Sequence, residues 1–333
     1  MKVKRNIKVP TGNILVVQGD KGSLECLSIA DYGQSANIKA DFLGLTNEIT
    51  KVTHMEPMPL SEKWVVTVST QYGCSMHCTF CDVPKVGPGI NATYDDLKGQ
   101  IITALRLHPE VTATKRLNVH YARMGEPTWN WNVIDFTKNM LSELRPYIGR
   151  SVIHPVISTM MPRHNGNLNE FLSAWIDIKN YAFRGQAGLQ FSINSTNDDE
   201  RAKMFSKNSL SLKDISDIGR NLDFPVGRKI TLNFAVADYE IDAVKLRELF
   251  DPKKFIVKLT PMHKTNACNE SGVVTQGDYT TFHPYAKHEA ALKAMGFDVL
   301  VFIASDEEDL GRITCGNAIL SGTIPLCDYS EEL

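Results

Sequence analysis

The sequence predicts an α/β fold: a partial barrel of six strand–helix units, with a small N-terminal β extension and a C-terminal α/β extension. Strand-like and helix-like segments alternate between residues 61 and 265, and parallel strands need such crossover helices. A length of 333 residues accommodates one main domain with extensions. An open barrel fits better than a doubly wound sheet, although the pattern separates the two only weakly. The predicted strands are 64–70, 116–122, 151–158, 187–193, 228–236 and 254–260.

Three segments follow from this pattern. Residues 1–60 are predicted to form a β extension with a hairpin turn at 19–22, and residues 61–265 are predicted to form the barrel. Residues 266–333 are predicted to form a C-terminal extension with a helix at 278–296 and a strand at 298–303. Thr93 and Asp96 form a capping-box pattern at the start of the first barrel helix. The predicted barrel helices are 93–106, 132–146, 167–180, 196–222 (broken) and 242–250.

Composition is that of an ordinary globular protein, with 43% hydrophobic residues and a net charge of -2. No basic excess indicates nucleic-acid binding, although a local patch remains possible. The longest early apolar run, 14–17, is too short for a signal peptide or a membrane span, so we expect a cytoplasmic protein without membrane contact. Seven cysteines without an export signal favour metal or catalytic use over disulfides.

Cys74, Cys78 and Cys81 follow the first barrel strand with C-x3-C-x2-C spacing. Three thiolates on one loop can face one point and bind an iron–sulfur cluster, leaving one iron of a four-iron cluster open. One alternative is a zinc site with His77 or a distant residue as fourth ligand, but the second ligand pair typical of structural zinc is missing. The other is three buried structural cysteines, which the polar residues between them disfavour.

The motif and its surroundings resemble the radical S-adenosylmethionine (SAM) enzymes of the RlmN/Cfr type, which methylate adenine in RNA. The likeness extends from about residue 54 to about residue 320, and six pieces occur in the order found in that family. They are Val68-Ser69-Thr70-Gln71-Tyr72-Gly73-Cys74, Met124-Gly125-Glu126-Pro127, Ile157-Ser158-Thr159, Phe191-Ser192-Ile193-Asn194, Asn197-Asp198-Asp199-Glu200-Arg201 and Thr314-Cys315-Gly316. The resemblance implies a [4Fe-4S] cluster and SAM as cofactors.

The resemblance also implies roles for residues at the C-terminal ends of the strands, where barrel active sites lie. Glu126 would pair with the SAM ammonium group, and Gly125 would let the backbone approach it. The remaining implied SAM contacts are Ser158, Ser192, Asn194 and His263, the last at a position where the family has asparagine.

Cys315 corresponds to the family's methyl carrier. In that family the cysteine receives a methyl group from one SAM, and a second SAM yields the radical that abstracts hydrogen from this methyl group. The methyl carbon then adds to the adenine ring. Taken alone, Cys315 is about as well explained as a small buried apolar residue.

Several positions depart from the family. Thr67 stands where the family has its resolving cysteine, so Cys268 or, less well placed, Cys327 would have to replace that thiol. His54 occupies the position of the proposed proton-accepting glutamate and can also accept a proton. Arg123 replaces a glycine and is expected to alter the lining of the active-site mouth. The N-terminal extension is also shorter than the family's accessory domain.

These observations favour a radical SAM methyltransferase that acts on an sp2 carbon, most plausibly of adenine in rRNA or tRNA, through a methyl-cysteine at Cys315. An electron donor such as flavodoxin or ferredoxin is then expected. The first alternative is a radical SAM enzyme acting on a nucleotide, metabolite or peptide without the methyl-cysteine. A zinc-dependent RNA-binding module is the second.

Overall fold

Six parallel strands at the positions predicted from sequence form the centre of the molecule. The computed structural model describes residues 1–46, 52, 56–275 and 280–332. Its strands are β1 (Lys2–Val9), β2 (Gly12–Gly19), β3 (Gly22–Ile29), β4 (Ile38–Lys39), β5 (Trp64–Val68), β6 (Gln71–Gly73), β7 (Pro88–Asn91), β8 (Leu117–Tyr121), β9 (Ile153–Thr159), β10 (Gly188–Ser192), β11 (Ile230–Val236), β12 (Phe255–Pro261), β13 (Val299–Phe302) and β14 (Ser330–Glu332).

Within the described ranges, twelve strands form one sheet in the order β14-β1-β2-β3-β5-β8-β9-β10-β11-β12-β13-β4. The strands from β5 to β13 in this order are parallel. β13 corresponds to the strand predicted at 298–303 in the C-terminal extension, and it pairs with the last of the six barrel strands. The sheet does not close on itself, because β14 and β4 are its edges. The predicted α/β fold with a partial barrel is therefore confirmed.

Helices connect the parallel strands, as the alternating pattern predicts. The predicted break in the segment 196–222 is present between α5 and α6. Among the described residues, no helix is both long and apolar enough to span a bilayer. The helices are α1 (Gln34–Asn37), α2 (Tyr94–Leu105), α3 (Asn132–Ile148), α4 (Leu168–Asp177), α5 (Asp198–Met204), α6 (Leu212–Asn221), α7 (Ala243–Leu249), α8 (Asn266–Glu270), α9 (Ala286–Ala294) and α10 (Asp306–Leu310).

The N-terminal strands continue the central sheet. β1, β2 and β3 form an antiparallel meander with the predicted turn at 19–22, and β3 pairs antiparallel with β5 between Cys26↔Val68 and Ile29↔Val65. Hydrogen bonding therefore runs without interruption from the extension into the barrel. The division at residues 60 and 265 remains a prediction from sequence.

The predicted capping box at the start of α2 is present and also anchors the N-terminal hairpin. The Asp96 backbone N–H donates to Thr93 Oγ1 (3.1 Å), and the Thr93 N–H donates to Asp96 Oδ2 (3.0 Å). The same buried carboxylate accepts hydrogen bonds from the Asp20 N–H (3.0 Å) and the Tyr72 hydroxyl (2.7 Å). Because Tyr72 lies two residues before Cys74, this network fixes the start of the cysteine loop.

The two faces of the parallel sheet differ in polarity. Apolar side chains such as Leu189, Phe191, Leu232 and Phe234 are fully buried in the main core, on the helix-covered face. Many of the alternate positions are polar and only half-buried, so the concave face, called the lumen below, is not filled by the bulky branched residues of a closed barrel. Its half-buried polar residues are His120, Ser158, Gln190, Ser192, Thr231, Asn233 and Lys258.

Candidate active site

The cysteine loop begins where β6 ends and is folded tightly against β7. Gly73 has a φ of 81°, and a Cβ atom there would lie 2.1 Å from the Gly87 carbonyl oxygen, so only glycine fits. The Cys74 N–H then donates to that carbonyl at 3.1 Å. Local backbone geometry therefore determines the direction in which the three thiols leave the sheet.

The three thiols of this loop are enclosed by protein. Cys74 and Cys78 are buried and Cys81 is half-buried. The Cys78 Sγ lies 3.5 Å from the Met160 Sδ. Desolvation raises the pKa of Cys74 to about 12 and raises the pKa values of Cys78 and Cys81 well above the ordinary value, and the charges of the neighbouring thiolates raise them further. A positive centre is therefore needed for all three to be thiolates together, and metal binding supplies one.

Cys315 lies on a turn that contacts the cysteine loop directly. The Gly316 carbonyl oxygen accepts a hydrogen bond from the Asp82 N–H at 2.8 Å and lies 3.6 Å from the Cys81 Sγ. All seven cysteines belong to the described residues, and of these Cys315 alone is exposed. The structure thus brings together two cysteine motifs that are more than two hundred residues apart in sequence.

His263 connects the end of β12 to the Cys315 turn. Its Nδ1 lies 2.9 Å from Asp309 Oδ1, and the Thr314 hydroxyl donates to the same oxygen at 2.5 Å. The predicted contact at His263 is therefore adjacent to the Cys315 turn, and its Nδ1 is already engaged with a carboxylate.

Glu126 is buried, and its carboxylate already accepts hydrogen bonds from protein. Its Oε1 accepts from the Thr128 N–H (3.1 Å) and hydroxyl (2.8 Å), and its Oε2 accepts from the Met160 N–H (2.9 Å). Desolvation raises the pKa of Glu126, and these hydrogen bonds oppose that shift. Two carboxylate oxygens offer about four lone-pair sites, so acceptor capacity for an ammonium group remains. Gly125, with a φ of 100°, lies against Gln71, where a Cβ atom would clash at 2.6 Å.

The three polar residues predicted on β9 and β10 differ in their availability. Ser158 is half-buried, and its hydroxyl accepts from Gln190 Nε2 at 2.8 Å. Ser192 is half-buried on the same concave face. Asn194 is buried, and its Oδ1 accepts from the Ala235 N–H at 3.0 Å. The two serines therefore face the lumen, whereas the Asn194 amide also bridges β10 and β11.

The donors suit a cluster better than a single ion. Within the described ranges, no group of three His, Cys, Asp or Glu side chains is arranged to hold one metal ion. A tetrahedral zinc site needs four ligands at about 2.0–2.3 Å from one point, whereas thiolates of an iron–sulfur cluster bind separate irons. Three soft sulfur donors on one loop fit a four-iron cluster in which one iron is left open.

Comparison with known proteins finds relatives that are named RNA methyltransferases. The chain is 26% identical over 245 residues to a probable dual-specificity RNA methyltransferase RlmN of Gemmatimonas aurantiaca, covering 73% of this chain and 62% of that protein. It is 26% identical over 269 residues to the dual-specificity RNA methyltransferase RlmN of Desulfosudis oleivorans, covering 78% and 66%. No protein-family model matches the chain.

A solved structure shares the fold. It is a radical SAM methyltransferase from Sphaerobacter thermophilus, with a TM-score of 0.62 and 18% sequence identity, and the match covers 95% of this chain and 80% of that one. The chain resembles RlmN-type RNA methyltransferases in sequence and shares the fold of a radical SAM methyltransferase. It spans less than two thirds of the length of either RlmN relative.

Several departures from the RlmN/Cfr pattern take on a structural meaning. Arg123 was expected to alter the lining of the active-site mouth, but it is buried and ion-paired with Glu25. Thr67 is buried on β5, opposite His120 of β8. Cys268 is only 1% exposed and packs against Ala237 and Met262, and burial raises its pKa. A buried thiol of raised pKa is a poor nucleophile, which disfavours Cys268 as a resolving thiol. His54 lies outside the described residues.

The structure adds residues that the sequence analysis missed in this RlmN/Cfr-like chain. Gln71 Oε1 accepts from the Glu126 N–H (3.0 Å) and the Ser75 hydroxyl (3.3 Å), so one side chain links the cysteine loop to the Gly125-Glu126 turn. Gln190 and Lys258 face the lumen. The alternation of polar and apolar residues along the predicted strands already carried a signal for the last two.

Proposed function

We propose that this chain is a radical SAM methyltransferase that methylates an sp2 carbon with Cys315 as the methyl carrier. Cys74, Cys78 and Cys81 would hold a [4Fe-4S] cluster, and SAM would bind beside it. The observation that carries the proposal is the contact between the Cys315 turn and the cysteine loop, in which Gly316 is bonded to Asp82 and touches Cys81. An exposed thiol next to a candidate cluster site has no structural role in the core.

The residues around this contact are suited to holding a charged cofactor. Glu126 retains acceptor capacity for an ammonium group, and Ser158 and Ser192 present hydroxyls toward the lumen. Gln71 keeps the Glu126 backbone and the cysteine loop in a fixed relation. When bound, the cluster and SAM supply the methyl group and the radical chemistry, and the protein supplies position and exclusion of water.

Adenine in rRNA or tRNA is the substrate that the relatives favour, because those proteins are named RNA methyltransferases. By the same analogy the reducing electron would come from a small carrier such as flavodoxin or ferredoxin, in the cytoplasm. These are proposals for the whole protein, since the matches cover 62% and 66% of the relatives' length.

Mass spectrometry of Cys315 tests the proposal. The chain is co-expressed with iron–sulfur assembly proteins and ample SAM, purified without oxygen and digested. We expect a methyl group on Cys315 and none on Cys327, the half-buried control thiol. An unmodified Cys315 in a preparation that contains a full complement of iron and sulfide would exclude the methyl-carrier role.

A second candidate keeps the cluster and SAM but replaces RNA by a smaller substrate. The polarity of the concave face favours it, since seven polar side chains on that face are only half-buried. The threonine at position 67, in place of the family's resolving cysteine, also favours it. A zinc-dependent RNA-binding module receives no comparable support, because no single-ion ligand group is present among the described residues.

A further inference from the structure

Cys315 differs in exposure from its own segment of the chain. In the range 311–319 every residue is buried except Cys315. The Asn317 N–H donates to the Thr314 carbonyl oxygen at 3.4 Å, which closes a β-turn with Cys315 and Gly316 at its centre. Gly316 has the positive φ, 89°, that the third position of a type II turn requires. The turn therefore raises one thiol out of a buried segment.

Arg312 is buried and is bonded to this turn. Its Nη1 donates to Asn317 Oδ1 at 3.2 Å. The same nitrogen donates to the Lys264 carbonyl oxygen at 3.2 Å, and Nη2 donates to Asn266 Oδ1 at 3.0 Å. One side chain thus connects the end of the Cys315 turn with the start of α8 and the loop that precedes it.

Asn317 extends this network to the residue before Cys315. The Asn317 side chain is fully buried, and its Nδ2 donates to Thr314 Oγ1 at 2.8 Å. The Thr314 hydroxyl donates in turn to Asp309 Oδ1 at 2.5 Å. The residues on both sides of the turn's centre are therefore held by one continuous chain of hydrogen bonds that runs from Arg312 to Asp309.

Two features of Arg312 are unfavourable for folding on their own. Its φ of 59° lies in the left-handed region, which is more costly for a residue with a side chain than for glycine. In the described part of the chain, the four oxygens that accept from its guanidinium group are amide or carbonyl oxygens, without a carboxylate among them. Burial of a cation without a counter-ion is costly.

Stability alone does not explain an arginine at this position. Glycine would remove the cost of the backbone conformation, and an apolar side chain would remove the cost of the buried charge. The structure instead holds Arg312 in place, since Arg123 Nη1 donates to the Arg312 carbonyl oxygen at 2.9 Å. Residues kept in unfavourable conformations by their surroundings cluster at functional sites. The function at hand is the orientation of the neighbouring turn.

We propose that Arg312 is a positioning residue for Cys315, because its bond to Asn317 fixes the turn in the orientation in which the thiol can receive a methyl group beside the cysteine loop. The inference rests on the proposed function, since the methyl-carrier role makes the direction of the thiol matter. It goes beyond that function by assigning a task to two residues outside the six motifs that resemble the RlmN/Cfr family, Arg312 and Asn317.

Methyl transfer depends strongly on the direction of the thiol. The thiol proton leaves to solvent, the Cys315 sulfur forms a bond to the methyl carbon, and the sulfonium–methyl bond of SAM breaks to give S-adenosylhomocysteine. Because the two sulfurs and the methyl carbon must lie in line, a displacement of about 1 Å can lower the rate about a hundredfold. Loss of the network is therefore expected to slow the transfer even though the thiol is still present.

Two measurements on the variants Arg312→Leu and Asn317→Ala test the inference. In the first, SAM is added to the reconstituted, anaerobic protein, and mass spectrometry follows the initial rate of Cys315 methylation. We expect this rate to fall at least about tenfold in both variants. In the second, the cluster-free protein reacts with iodoacetamide. We expect Cys315 to be alkylated at least about threefold faster in both variants, because a turn that opens more often gives the reagent better access to the thiol.

Cys268 reports whether the variants keep the fold, because it is 1% exposed and packs in the protein interior. A loosened turn leaves its alkylation slow, whereas general unfolding accelerates it together with that of Cys315. If Arg312→Leu fails this check, Asn317→Ala decides the outcome, since it removes the bond to the turn and leaves the other bonds of Arg312 in place.

The matched control is Thr323→Val. The buried Thr323 hydroxyl donates to the Ala318 carbonyl oxygen at 2.7 Å, so this variant also loses a buried hydrogen bond in the same segment, but none to the turn. Its rates of Cys315 methylation and alkylation should equal those of the wild type. A wild-type rate of either reaction in Asn317→Ala, or an equal change in Thr323→Val, would overturn the inference.

The two measurements also separate this inference from the proposed function. If Cys315 of the reconstituted wild type receives no methyl group, the proposed function fails. The alkylation rates of the cluster-free variants then decide by themselves whether Arg312 and Asn317 hold the turn, and equal rates in all of them would show that they do not.

Discussion

Arg123 and Glu25 form a buried ion pair that joins three parts of the chain. The Arg123 Nη2 lies 2.7 Å from Glu25 Oε2, and both side chains are almost completely shielded from solvent. Arg123 Nη1 donates to the Arg312 carbonyl oxygen at 2.9 Å, and Glu25 Oε1 accepts from the Leu320 N–H at 2.5 Å. The pair therefore connects β3, the end of β8 and the segment that carries Cys315.

Removing one partner of this pair should destabilise the protein strongly. In Arg123→Met the carboxylate of Glu25 stays buried without its counter-ion, and we expect the free energy of unfolding to fall by about 3–5 kcal/mol. Urea unfolding measures the change. The control Lys213→Met breaks an exposed, solvent-screened pair and should leave the free energy of unfolding nearly unchanged. Equal losses in the two variants would contradict the importance of the buried pair.

Iron content should depend on each of the three cysteines of the loop. After anaerobic reconstitution, we expect Cys81→Ala to lose most of its iron, sulfide and visible absorbance, because a four-iron cluster needs all its thiolate ligands. Cys327→Ala is the control, since Cys327 is half-buried near the C-terminus. A Cys81→Ala protein that retains wild-type iron, or a wild-type protein that takes up only zinc, would contradict the cluster assignment.

Cys315 and Cys268 should differ in their reaction with iodoacetamide. In the cluster-free protein, the exposed Cys315 is expected to react well before Cys268, which is 1% exposed. Because the surrounding protein raises the pKa of Cys315, its rate should still increase above pH 9.0. Peptide mass spectrometry over time resolves the two sites. If Cys268 were labelled as fast as Cys315, α8 would have to open, and the Cys268 thiol would then be accessible for the resolving role.

Glu308 should make stability depend on pH in the direction opposite to most carboxylates. Desolvation and the charge of Asp31 raise the pKa of Glu308 from 4.5 to about 7, although the Ser305 N–H donates to it. Between pH 4.5 and about pH 7, the folded state therefore binds more protons at Glu308 than the unfolded state does. The contribution of Glu308 to stability is therefore complete below pH 4.5 and is lost as the pH rises through about 7.

Glu308→Gln tests this dependence, since the amide oxygen can still accept from Ser305 but does not titrate. Urea unfolding of the wild type and the variant at pH 4.5, 5.5 and 7.5 should show that their difference in stability changes in favour of the variant as the pH rises. Glu248→Gln, on the exposed face of α7, should leave the wild-type dependence unchanged. Parallel curves for the wild type and Glu308→Gln would contradict the raised pKa.

The elements of the barrel were predictable from sequence because each depends on neighbours along the chain. Alternation of apolar residues located all six strands, and Thr93 with Asp96 located the start of α2. The three cysteines are also a local pattern, so a metal site could be inferred without knowing the fold. The order of the six motifs then indicated the family.

Tertiary structure alone decided how distant residues meet. No pattern in the sequence pairs Glu25 with Arg123, which are 98 positions apart, or places Gly316 against Cys81, 235 positions away. Burial likewise separated the exposed Cys315 from the enclosed Cys268. Strands and motifs thus follow from short-range periodicity, whereas ion pairs and exposure depend on contacts that form only when the whole sheet has assembled.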